Sequence, residues 1–234
     1  MVATFQYTPH AAIPKAQDAI ALRRIFQTIH ADSCPHHFNF HLHTICSDGQ
    51  LQPIELMQQA LSIGLQGLAI TDHHSVNGFL SAQSWLTLQS SHRDRALPHL
   101  WVGVEVTSNL FGTDVHILGY AFDPAAPVME RYLQGERPQG DDANADRVIA
   151  AIQAAGGVAV LAHPARYRRS ETILVQQAAE LGIDGVETYY AYGHSQPWQP
   201  SPQQTRDVEQ LSQAYNLLNT CGTDTHGRDI LVRV

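Results

Sequence analysis

Several features are missing from this chain, and each absence removes a class of protein. It has only three cysteines, Cys34, Cys46 and Cys221, an odd number with no close pairing motif. That argues against a disulfide scaffold and suits a reducing compartment, with Cys46 and Cys221 read as small buried thiols. No basic start followed by an apolar core and a small-residue cleavage site is found, and no apolar run reaches the length of a membrane span. A cytoplasmic protein with no membrane partner is therefore expected. Positive charge is scarce: 14 Lys and Arg stand against 22 Asp and Glu, a formal charge of −8. Such a balance argues against a broad electropositive surface for duplex nucleic acid, although a local basic pocket remains compatible with it. There is no internal repeat and no low-complexity tract.

What the chain does have is histidine, 14 of them in a sequence with only 15% charged residues. Histidine is the commonest metal ligand among side chains, so the excess directs attention to clusters. The 234 residues, 44% of them hydrophobic, are enough for one domain with a substantial core. Residues 1–35 read as an N-terminal extension, loop-like over Thr8–Pro14 and helical over Ala16–Ile29, with the domain proper at 36–234. From Pro35 onward, apolar strands alternate with helices. Strands are expected at Phe38–Leu42, Leu68–Ile70, Leu100–Thr107, Val115–Phe122, Val158–Ala162, Gly185–Tyr189 and Leu217–Cys221. Helices are expected from Pro53 to Gly64, and over Phe79–Leu88, Ala143–Ala155, Glu171–Leu181 and Gln203–Tyr215. This alternation implies an α/β fold with a parallel sheet covered by helices. A barrel is preferred to an open sheet, because polar clusters repeatedly follow apolar strands, as at the C-terminal mouth of a (β/α) barrel. Pro124–Gly140 reads as a short excursion and Gln196–Pro202 as a flexible loop.

The polar residues at the strand ends carry the chemistry. His41-Leu42-His43 places two imidazoles on one side of a strand, and Asp48 follows in the turn Ser47-Asp48-Gly49. Thr71-Asp72-His73-His74 comes directly after an apolar strand. Glu105 sits between Val104 and Val106, where burial without a cation partner would be costly. His116 interrupts an apolar strand, His163 precedes Pro164, and Asp224 and His226 follow Cys221-Gly222-Thr223. Each could be satisfied locally, but a histidine or carboxylate follows or interrupts an apolar strand at six separate places.

This ordered set, from His41-x-His43 with Asp48-Gly49 through Thr71-Asp72-His73, Glu105, His116 and His163-Pro164 to Gly222-Thr223-Asp224-x-His226, resembles the polymerase and histidinol phosphatase (PHP) superfamily. The resemblance spans residues 38–227. It implies a distorted (β/α)7 TIM-like barrel holding two or three divalent ions of manganese, zinc or iron. It also implies a ligand set: His41, His43, Glu105 and Asp224 on one ion, Glu105 bridging to a second held by His116 and His163, and Asp48, His73 and His226 on a third. The stretches Gly156–Arg166 and Gly185-Val186-Glu187 look similar to the subgroup that acts on nucleoside bisphosphates and trims short RNA. The stretch between His116 and His163 is shorter than the inserted subdomain of that subgroup.

The reaction expected is hydrolysis of a phosphate ester, in a small phosphorylated metabolite, a nucleotide or a short single-stranded RNA end. Water acidified by clustered cations would attack phosphorus. Arg166, Asp224 and His226 are the candidate catalytic residues, with Arg166 placed to clamp a phosphate bidentately. Asp72 and Glu187 are candidates to orient ligands, and His194 to reach the substrate. No catalytic role is assigned to His10, His30, His36, His37, His74, His92 or His99. Two other readings stay open: an amidohydrolase-type C–N hydrolase, and a non-catalytic metal-stabilised binding module.

Overall fold

A computed structural model describes residues 15–90, 96–193 and 195–233. The expected loop Thr8–Pro14 and the residues His10, His92 and His194 lie outside the described residues. In chain order the elements are α1 (Ala19–Phe26), β1 (Phe38–Asn39), α2 (Pro53–Ile63), β2 (Gly67–Ile70), α3 (Asn77–Ser90), β3 (His99–Leu110) and β4 (Thr113–Tyr120). They continue with α4 (Ala145–Ala154), β5 (Val158–Leu161), α5 (Glu171–Glu180), β6 (Gly185–Tyr189), α6 (Pro202–Ala214) and β7 (Leu218–Cys221).

The seven strands form one sheet in sequence order. Beyond β1, residues 40–43 close most of the gap between its edges. On one side the Thr71 amide donates to the Leu42 carbonyl at 2.8 Å. On the other, Phe40 donates to Cys221, Asp224 to His41 and His43 to Thr225, at 3.0, 2.9 and 3.2 Å. The Asn39 side chain ties the same seam, donating to Thr223 Oγ1 and accepting from the Thr223 amide. The sheet is thus a nearly closed, barrel-like α/β fold.

The expectation of a wholly parallel sheet is corrected at one strand. β4 runs antiparallel to both β3 and β5, while the other ladders are parallel. The cause is the connection: Phe111-Gly112 is two residues long, and a parallel crossover needs a dozen or more. Both residues have positive φ, 47° and 84°, the backbone of a tight primed hairpin turn. The reversal matters for the site, because it brings the start of β4, and so His116, to the end of the barrel where the parallel strands finish.

Two apolar clusters hold this frame. One lies between sheet and outer helices and includes Leu56, Met57, Val102, Val148, Ile152, Leu174 and Val208. The other fills the barrel and includes Phe40, Trp101, Leu118, Tyr120, Val158 and Val160, together with Leu22 and Phe26 of α1. The described part of the N-terminal extension is therefore not peripheral. The Phe26 ring meets Phe40 and Tyr120 edge-on at centroid separations of 5.0 and 5.5 Å, and Arg23 pairs with Asp184 at 2.7 Å. The Pro124–Gly140 excursion holds the short 3-10 turn Pro127–Tyr132, which buries Met129 and Tyr132. Among the described residues no helix is long and apolar enough to cross a membrane.

Because Phe26 closes the barrel floor among rings that cannot collapse into its place, Phe26→Ala should cost about 3–5 kcal/mol of stability. Urea unfolding followed by far-UV circular dichroism checks this. An unchanged midpoint would show that α1 is not part of the core.

Candidate metal centre

Each strand contributes at the mouth. In the run 40–43 the period of two turns His41 and His43 inward. His73 follows β2, Glu105 lies within β3 and bridges in register to His73, and His116 lies on β4 opposite Thr107. His163 follows β5, Glu187 is on β6, and Asp224 and His226 follow β7. His163 and Asp224 have positive φ, 29° and 51°. Such backbones are costly for non-glycine residues and persist only where surrounding contacts fix them. At Gly222 a Cβ would collide with His41, so the chain can carry Asp224 to the site only through glycine here.

The nine residues expected as ligands all gather here, around Glu105. Its side chain is 1% exposed. Glu105 Oε2 is 3.0 Å from His41 Nε2 and 3.0 Å from His43 Nε2, and 3.7 Å from His73 Nε2. Glu105 Oε1 is 2.7 Å from His116 Nδ1 and 3.3 Å from His163 Nε2. Asp224 Oδ1 lies 3.3 and 3.2 Å from the same two nitrogens of His41 and His43. Asp48 faces His226 Nε2 at 3.3 Å, and His73 Nε2 and His43 Nδ1 at 3.7 Å.

These groups polarise one another strongly. Burial opposes ionisation of Glu105, yet the imidazoles of His41 and His116 hold its carboxyl well below the usual carboxylate range. Burial likewise opposes charge on His41 and His43, but the neighbouring carboxylates win. His41 is held well above its ordinary value and His43 is pushed up to about 9. Burial instead prevails at His73, helped by His43 and His116 against Glu105, and brings it down to about 4. A buried cluster whose carboxylates are held ionised favours a cation, and an entering metal ion would replace the protons held on His41 and His43.

The donor set fits metal ions on a second observation. Both ring nitrogens of His43 and of His163, His73 Nδ1, His116 Nδ1 and Glu105 Oε1 are buried without a hydrogen bond. His116 Nδ1 and Glu105 Oε1 are close but out of hydrogen-bonding geometry. Buried polar atoms are rarely left so, and coordinated ions would take up one nitrogen of each such ring and the Glu105 oxygen. Three compact groups of donor atoms result: His41, His43, Glu105 and Asp224; His43, Asp48, His73 and His226; and His73, Glu105 and His116. The first is the set implied by the family resemblance. In the second, His43 joins the expected trio. In the third, His73 takes the place expected for His163, which stays beside Glu105 with both nitrogens unbonded.

Around this centre, Glu187 is buried and joins two of the histidines. Its Oε1 is 2.9 Å from His41 Nδ1, and its Oε2 accepts the His163 amide at 2.9 Å. Asp72 instead holds the loop after His43, accepting from the Thr44 amide, Thr44 Oγ1 and Ser47 Oγ at 2.7, 2.8 and 2.9 Å. Those bonds fix the loop that carries Asp48. Arg166, in the turn Pro164–Arg166, donates to Asp224 Oδ2 at 3.1 Å while its side chain stays 45% exposed. His99 meets Trp101 edge-on at the far end of β3, and His30, His36 and His37 precede β1 at that same end. Sequence reasoning missed Tyr190 and Arg233, which also reach Asp224 Oδ2, at 2.6 and 3.5 Å. Tyr190 was within reach, in the tyrosine-rich run after β6; nothing local marks Arg233.

Residues 39–218 match the family profile of the PHP domain. The chain belongs to the PHP domain family. Among curated relatives of this PHP chain, a 5'-3' exoribonuclease of Haemophilus influenzae is 32% identical over 100 residues, 43% of this chain and 34% of that protein. A 3',5'-nucleoside bisphosphate phosphatase of Chromobacterium violaceum is 33% identical over 118 residues, 50% of this chain and 39% of that one. The chain thus spans well under half the length of these relatives. A Bifidobacterium adolescentis protein described provisionally as a metal-dependent phosphoesterase shares the fold, with a TM-score of 0.67 at 23% identity over 83% of this chain and 89% of that one.

Since Glu187 holds the His41 ring and the His163 backbone without facing the donor groups itself, Glu187→Gln should weaken divalent-metal affinity by about 10–100-fold. Manganese titration by calorimetry reads this directly. Wild-type affinity in the variant would remove Glu187 from the support of the centre.

Proposed function

We propose that this PHP chain is a metal-dependent phosphoesterase. In this reading its substrate is a small phosphorylated metabolite, a nucleotide such as a nucleoside bisphosphate, or a short single-stranded RNA end. The observation that carries the proposal is the sharing of Glu105 and His43 between compact donor groups, beside a half-exposed guanidinium. Two or three ions of manganese, zinc or iron suit the mixed imidazole and carboxylate donors. His41, His43, Glu105 and Asp224 would hold one, with His163 beside them. His73 and His116 would hold a second with Glu105, and Asp48, His73, His226 and His43 a third.

The chemistry that bound divalent ions supply is Lewis acidity toward water and phosphate oxygens. The protein does the rest. Glu105 and Asp224 keep the centre's charge low enough for ions to gather, and the buried imidazoles exclude bulk water. Arg166 carries a planar fork that matches two phosphate oxygens and stays charged at any working pH, so it places the substrate and balances charge in the transition state. Asp224 and His226 are the other proposed catalytic residues; the His226 ring is partly exposed and lies 3.3 Å from Asp48. The relatives' activities on a nucleoside bisphosphate and on RNA support the nucleotide reading. Between β4 and α4 this chain has only the short turns Pro127–Tyr132 and Gly140–Ala143, so no large subdomain is inserted there.

Metal-loaded protein assayed on phosphate mono- and diesters, with amides and lactones as controls, tests the proposal. Ester hydrolysis is expected; amide or lactone cleavage alone, or no turnover at all, would overturn it. On the best ester, Arg166→Ala should cost about 2–4 kcal/mol in kcat/KM, the loss typical of one well-placed electrostatic donor. Arg166→Lys should recover part, since an ammonium supplies charge without the paired geometry. An alanine variant of wild-type efficiency would exclude Arg166 from the site.

A further inference from the structure

Asp224 has two oxygens in two different surroundings. Oδ1 faces the Nε2 atoms of His41 and His43. Oδ2 faces three donors: the Tyr190 hydroxyl at 2.6 Å, Arg166 Nη1 at 3.1 Å and Arg233 Nε at 3.5 Å. A carboxylate oxygen has about two lone-pair directions, so one of these partners is surplus. The three differ in freedom. Tyr190 is fully buried and makes the shortest bond. Arg233 is 14% exposed and is pinned from two sides. Its guanidinium lies 5.1 Å from the Tyr190 ring centroid, and its Nη1 reaches the Ala191 carbonyl at 3.5 Å. Arg166 alone is half exposed, and among the described residues its other N–H groups reach no partner beyond a long contact to the Tyr190 hydroxyl.

The local chain path makes this arrangement. Glu187 and Tyr190 are three apart, which in an unbroken strand would put them on opposite faces. The ladder between β6 and β7 slips between Glu187 and Tyr189, and such a bulge re-aims the residues after it. Both side chains therefore serve one site, Glu187 behind His41 and Tyr190 behind Asp224. Burial, then the charges of Asp224 and Glu187, hold the Tyr190 phenol far above its ordinary value, so it stays a donor.

We propose that Tyr190 and Arg233 are positioning residues: together they hold Asp224 Oδ2, which keeps Oδ1 turned to the imidazoles and releases Arg166 to take a phosphate oxygen of the substrate. The release of Arg166 rests on the phosphoesterase reading above; the hold on Asp224 does not. Without the Tyr190 hydroxyl, Asp224 must keep Arg166 as its partner, and the arginine is withdrawn from an incoming anion.

The test uses Tyr190→Phe, which removes only the hydroxyl, with Arg233→Ala and Arg233→Lys. Manganese affinity is measured by titration with no substrate present, and inorganic phosphate affinity by thermal shift at saturating manganese. Tyr190→Phe should weaken manganese binding by about 10–100-fold. Phosphate binding should weaken by about tenfold, the cost of one hydrogen bond. Arg233→Ala should move both in the same direction, and Arg233→Lys should restore part. Wild-type affinity for both probes in Tyr190→Phe overturns the proposal, even if its melting temperature falls, because a merely structural role predicts that pattern. If Tyr190→Phe shows no cooperative unfolding, the Arg233 pair decides by the same criteria. Weaker manganese binding with unchanged phosphate binding would keep the hold on Asp224 and overturn the release of Arg166. Failure of the wild type to cleave any phosphate ester, with both affinities still shifted in the variants, would count against the phosphoesterase reading alone.

Discussion

The site depends on one buried carboxylate. Glu105 is carried on a central strand between two core valines, 1% exposed, and five imidazoles converge on its two oxygens within 3.7 Å. An isolated carboxylate in such a place would be strongly disfavoured. It is held ionised by its surroundings, and those five imidazoles come from four different strands. Remove its charge and the imidazoles are left crowded together without a counterion; remove the imidazoles and the charge cannot stay buried. Metal ions resolve the same tension more completely than shared protons do, because they can also coordinate one nitrogen of each ring that lacks hydrogen bonds.

The rest of the fold serves to bring these ends together. Six parallel strands finish at one mouth, and the tight Phe111-Gly112 turn sends β4 back so that its start lies there as well. The run 40–43 is stitched to β2 on one side and to residues 221–225 on the other, which places His41 and His43 against Asp224. Gly222 permits that approach, and the strained backbones of His163 and Asp224 are kept by buried neighbours. At the opposite end Phe26 and Leu22 close the barrel with aromatic and aliphatic packing.

Much of this was legible in the sequence, for a physical reason: the site is made of residues at strand ends, and an apolar run followed by histidine or a carboxylate is a local pattern. Hence all nine expected ligand residues were read, and all nine meet. What depends on distant contacts was not legible. Nothing near α1 shows that Phe26 will pack on Phe40 and Tyr120, so the helix reads as an appendage. Tyr190 and Arg233 meet Asp224 only through the bulge in β6 and the turn of the chain after His226, neither of which has a period to read. The antiparallel course of β4 was signalled only by a connection too short for a crossover helix, since the expected strands end at Thr107 and resume at Val115, with Gly112 between them. It went unread because the helix-and-strand alternation elsewhere points to a parallel sheet.

The central claim is that this cluster is a multinuclear metal centre. Elemental analysis of the purified protein, after reconstitution with manganese, zinc or iron and removal of free ion, measures it most directly. Eight donor residues in overlapping groups are too many for one tetrahedral or octahedral ion. The account predicts at least two tightly held divalent ions per chain; fewer than one with every metal would contradict it.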